Sequence, residues 1–127
     1  MTLVLESGLQ DALADAITTY IDGGTAPELV FETSGDAEVA TIIMNASSAF
    51  GAASAGVITM ADQPIQDTNA AGGTTVQFSI YQNVGQTNKV LEGTVATSAA
   101  DINISSTVVG ATDTVELTTF TITVPAS

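Results

Sequence analysis

The chain has 127 residues, no Cys, no His and one basic residue, Lys89, against fourteen Asp and Glu, for a formal net charge of −13. That length suits one domain. The composition excludes a disulfide framework, thiolate or imidazole metal sites and His-based catalysis, and it leaves nothing to neutralise a nucleic-acid backbone. A folded monomer of this size exposes roughly 6,300 Å², or about one uncompensated negative charge per 480 Å². Such a surface repels copies of itself, over about 8 Å at physiological ionic strength.

The opening residues Thr2 to Glu6 contain neither a basic stretch nor a continuous apolar core, so no secretory signal is expected. No run of about 20 apolar residues is present to span a bilayer, and anionic headgroups would repel the chain. Residues 5–20 predict the one helix. Leu5, Leu9, Ala12, Leu13, Ala16, Ile17 and Tyr20 fall on one face of a 3.6-residue period, opposite Gln10, Asp11, Asp15, Thr18 and Thr19. Thr2 is a candidate cap, and Asp22-Gly23-Gly24 with Pro27 marks the exit. Asp15 and Asp22 add no favourable dipole interaction in the C-terminal half, so the helix is expected to depend on tertiary burial.

After Pro27, short segments rich in Val, Ile, Thr and Phe alternate with turn residues. Strands are predicted over 28–34, 38–45, 56–61, 74–82, 89–96, 101–105 and 114–124. In the clearest, Val76, Phe78 and Ile80 point one way and Thr75, Gln77, Ser79 and Tyr81 the other. The last strand breaks phase between Val115/Leu117 and Phe120/Ile122/Val124, which calls for a β-bulge near Thr118 or Thr119, or a strand that changes sheets there. The fold class is therefore mainly β: a β-sandwich, jelly-roll or Ig-like Greek key, with one N-terminal amphipathic helix. Residues 1–24 form the helix and linker and 25–127 the sandwich. The period-free stretch 45–56 is a long loop whose one large apolar group, Phe50, anchors in the core or docks on a neighbouring subunit. Lys89 starts a strand and pairs with a carboxylate such as Glu92, or bridges to the acidic surface of another copy.

Catalytic constellations fail in turn. No His stands beside a Ser, and the residue three before Lys89 is Gln86, not Ser. Carboxylates are plentiful, yet none sits in an apolar segment resembling a cleft, and Trp is absent. No phosphate-cradling glycine loop occurs. Calcium is the one ion the donors permit, at Asp101 and Asn103 or at Asp11 and Asp15, but no EF-hand loop or nonapeptide repeat is present. The expectation is a non-enzymatic protein without cofactor, metal or nucleic acid, working through its surfaces.

Three stretches resemble a family of small virion structural proteins of tailed phages and prophages. They are Leu9 to Ile17 with Ile21 to Gly24, Ala49 to Ile58, and Gly93 to Val95 through Ser98 to Ile104 to the ending Phe120-Thr121-Ile122-Thr123-Val124-Pro125. Gln10 stands where the family usually carries Arg or Lys. The resemblance implies a capsid decoration (cement) protein that binds the major capsid protein on the virion surface, made in the host cytoplasm and homo-oligomeric, with a trimer favoured. It also leaves a head–tail connector, tail or fibre component, and an acidic binding module outside viruses is a further alternative. The candidate interface is Leu5, Leu9, Leu13, Ile17, Tyr20, Phe50 and Lys89.

Overall fold

A computed structural model of the chain describes residues 3–62 and 64–124. Helix α1 spans Ser7–Asp22, and the strands are β1 Glu28–Glu32, β2 Glu38–Ile43, β3 Val57–Thr59, β4 Ile65–Asp67, β5 Gly73–Thr74, β6 Gln77–Asn83, β7 Thr87–Ala96, β8 Ile102–Asn103, β9 Val108–Val109, β10 Val115–Leu117 and β11 Thr121–Thr123. The protein is mainly β and sandwich-like, with one N-terminal helix. One layer is a sheet in the order β2-β1-β6-β7-β8, antiparallel except for the short parallel pair β7–β8. Three two-stranded ladders, β10-β4, β11-β3 and β5-β9, complete the fold.

Alternation along the strands fills the core. Leu29, Phe31, Ala40, Ile42, Phe78 and Ile80 come from the large sheet, and Ile58, Met60, Leu117 and Phe120 from the other side. Phe120 joins them: its ring lies edge-on to Phe78 at 5.4 Å and tilted to Phe50 at 6.1 Å, separations at which aromatic pairs attract beyond their area burial.

The phase break in the last predicted strand resolves as a change of sheet. Residues 115–117 pair with β4, residues 118–120 leave the ladder, and residues 121–123 pair with β3. The three-residue offset lets both Leu117 and Phe120 face inward.

The outer face of β1 departs from simple alternation, because every residue of the strand is buried. The end of the β6–β7 hairpin folds back over it. Backbone N–H groups of Gly85 and Gln86 donate to the two oxygens of Glu28, at 3.1 and 3.2 Å, and the Tyr81 hydroxyl donates to Glu32 at 3.2 Å. Burial, and then the Glu32 carboxylate, push the Tyr81 hydroxyl above its usual pKa. The outer face of β1 thus carries a second, polar layer.

Glycine is required at two close approaches. A Cβ on Gly24 would stand 2.1 Å from the carbonyl oxygen of Gln82, and one on Gly93 would stand 2.5 Å from the Phe78 ring. The helix exit is right-handed at Gly23, where Gly-Gly allows either a left-handed or a flexible exit. What the pair provides there is room at Gly24.

Candidate binding face

Helix α1 docks on the sandwich by the face opposite to the one its apolar period marks. Ala14 and Ile21 enter the core, and Gln10, Asp11 and Thr18 are half-buried. Leu9, Leu13 and Tyr20 remain 49%, 42% and 56% exposed. Of the stripe, Ile17 is half-buried and packs against the core.

Three carboxylates join these apolar contacts in docking the helix. Asp11, Asp15 and Asp22 are spaced by 4 and 7 residues, which places them along one side of the helix. Their oxygens accept backbone N–H groups of the 49–56 loop: Gly56 to Asp11 at 2.7 Å, Ala53 to Asp15 at 2.8 Å and Ala49 to Asp22 at 3.0 Å. The loop runs antiparallel to the helix, so the three rungs cover about 16 Å of helix axis. A loop of small residues without a ladder of its own leaves amides to be satisfied, and the carboxylates satisfy them. The chain sequence carries a signal for this arrangement, three Asp on one helical face beside a structureless Ala/Ser/Gly segment, but reading the helix by hydropathy alone passes over it.

Two consequences follow for the outer surface. The negative charges of the helix proper are drawn toward the loop, and the apolar stripe is left toward solvent. Ahead of the helix Leu3 and Val4 are 74% and 69% exposed, and the stripe opens laterally into a shallow cleft of about 550 Å³ between α1 and β7, lined by Ala16, Ile17, Tyr20, Val90, Leu91 and Lys89. In a chain of net charge −13 this face carries few charges, Glu6 and Lys89 among them, and Lys89 is held at 3.0 Å by Glu92. Hydrogen bonding to Glu92 raises the Lys89 pKa, and its ammonium lies 5.9 Å from the Tyr81 ring centroid.

Leu9, Leu13, Ile17, Tyr20 and Lys89 thus lie on one face, with Leu5 half-exposed at its N-terminal end. Phe50 does not join them. It is 2% exposed and packs on Phe120, so its ring is a core anchor and not a surface contact.

Asp101, considered for calcium, accepts hydrogen bonds from the Thr94 backbone N–H at 2.8 Å and the Thr94 hydroxyl at 2.9 Å, which hold its pKa below the usual carboxylate range. Among the described residues no three His, Cys, Asp or Glu are grouped so as to hold a metal ion. Among the same residues no helix is long and apolar enough to cross a membrane. No family model, no curated protein and no solved structure matches the chain.

Proposed function

We propose that the chain is a structural component of a tailed-phage virion, foremost a decoration protein that binds the assembled shell through the outer face of α1. The observation that carries this reading is the apolar stripe Leu9, Leu13 and Tyr20, left exposed on a helix whose carboxylates face the loop. Contiguous exposed apolar surface on an otherwise strongly charged small protein marks a contact site. The resemblance of its three segments to virion proteins supplies the setting, and the major capsid protein is the partner. The acidic remainder of the surface discourages indiscriminate contact, while the weakly charged face permits approach where contact is made. Many copies on one shell compensate for a modest contact area.

The test uses the intact chain, because α1 supplies Ala14 and Ile21 to the core. Leu9→Glu with Leu13→Glu, checked for unchanged circular dichroism, is mixed with undecorated particles. Occupancy is expected to fall at least tenfold relative to Ser98→Glu with Thr107→Glu, which adds the same charge elsewhere. Equal occupancy of the two variants rejects this face as the attachment site. A symmetry-resolved particle map separates a trimer on the shell from a portal ring.

A ring-forming connector or tail component is the second reading. It is favoured by the outer edges of β8 and β10, which pair with no further strand among the described residues, because a head-to-tail contact there closes a ring when the rotation per copy divides a full turn.

A further inference from the structure

The β4–β10 ladder lies beside the free edge of β2, where the Thr41 backbone N–H donates to the Asp67 carboxylate at 2.9 Å. Followed from one end, the strands run β10, β4, β2, β1, β6, β7, β8. The run curls on itself, and its two ends, β8 and β10, flank a groove of about 740 Å³ lined by residues of 101–109 and 113–121. Ile104, Val115, Leu117 and Phe120 contribute the apolar part of its wall. No backbone hydrogen bond joins the two sides among the described residues. The groove is a seam between two strands that are not paired with each other, and unpaired strand edges are templates for an added strand.

The chain presents a segment of matching character. Residues 3–6 precede α1 without helical or strand pairing, and Glu6 has extended backbone angles, φ −66° and ψ 150°. Leu3 and Val4 are the two adjacent apolar residues most exposed among the described ones. Residues 3–5 carry no charge. That matters because the groove is bordered by Asp101, Asp113 and Glu116 and by no cation. Acidic segments of a neighbouring copy are repelled from it, and this arm is not.

We propose that the Leu3–Leu5 arm of one copy inserts as a short strand into the β8/β10 seam of a second copy. In that pose Leu3 and Leu5 turn toward the Val115, Leu117 and Phe120 wall, and Val4 turns outward. The contact is head-to-tail, since arm and seam are different surfaces, and it closes a ring when the rotation per copy divides a full turn. The inference stands apart from the virion reading and requires only a second copy of the chain.

The absence of Cys gives a clean cross-linking test. Val4→Cys protein is mixed with Thr119→Cys protein under mild oxidation. A covalent dimer bridged between positions 4 and 119 is expected in excess over that from Val4→Cys with Ser47→Cys, whose second thiol lies on an exposed loop away from the seam. Equal yields of the two pairs overturn the proposal. A Val4→Cys/Thr119→Cys double variant that cross-links only within one chain also overturns it. Sedimentation is the second measurement: the wild type is expected to associate with rising concentration and Leu3→Asp/Val4→Asp to remain monomeric. Identical profiles again overturn it.

Discussion

Truncating Leu13 and Ile21 separately tests which way α1 faces. Both lose three side-chain carbons on replacement by Ala, and Ala is at least as good a helix former as either, so differences in cost report burial. At about 0.8 kcal/mol per buried carbon, three carbons are worth about 2.4 kcal/mol when completely covered. Leu13 is 42% exposed, so a little over half of that is at stake, and Leu13→Ala is expected to cost at most about 1.4 kcal/mol. Ile21 is 0% exposed, and its truncation adds a cavity to the transfer loss, giving about 2–5 kcal/mol for Ile21→Ala. Urea unfolding followed by far-UV circular dichroism, with equal m-values for the variants, measures both. If Leu13→Ala costs as much as Ile21→Ala, the helix is docked by its apolar stripe, and the outer face described above does not exist in the free protein.

Two further outcomes check other parts of the structure. Gly93→Ala forces a methyl group into the Phe78 ring, which is itself fixed edge-on against Phe120, and should cost about 1–3 kcal/mol in urea unfolding; a neutral result would show that the ring yields. Asp101 is held ionised by Thr94, so its folded pKa lies below its unfolded one. Its stabilising contribution is present above about pH 4 and is lost as pH falls through the lowered folded value. Asp101→Asn should therefore be less stable than the wild type at pH 7, with the gap narrowing at pH 2.5. A gap independent of pH would mean that the charge of Asp101 contributes nothing.

The parts of this fold legible in the sequence are those set by local periodicity. The helix appears two residues later than its apolar period suggests, over 7–22 rather than 5–20. Of the predicted 76–80 alternation, Phe78 and Ile80 lie buried in the central strand β6, but Val76 falls outside that strand and is exposed, and Ser79 and Tyr81 on the opposite side are buried as well. Phe50 is legible as the anchor of its loop, and the pairing of Lys89 with Glu92 is realised. Periodicity reports that a helix has an apolar side; it does not report what that side meets. The inward face of α1 is chosen by Ala14 and Ile21 together with three carboxylates, and backbone amides of a distant loop leave no mark in the residue pattern. The burial of Glu28, Glu32 and Tyr81 escapes for a similar reason, because a hairpin that folds back over its own sheet is a tertiary event.

The seam between α1 and the 49–56 loop also bears on how this protein can change over generations. Each rung joins an Asp side chain to a main-chain N–H, so on the loop side the contact recognises that a peptide group is present and not which residue carries it. Away from the buried Ala49 and Phe50, substitution within the loop is therefore cheap wherever the path of the backbone is kept. It is costly at Gly56, whose φ of +76° and closeness to Val124 and Gln10 disfavour a side chain, and at any rung where proline would remove the donor. On the helix side the freedom is reversed. Asp11, Asp15 and Asp22 are held to an acceptor of that length, while Leu9, Leu13 and Tyr20, all partly exposed, can drift to suit whatever surface they meet at smaller cost to the domain than Ala14 or Ile21.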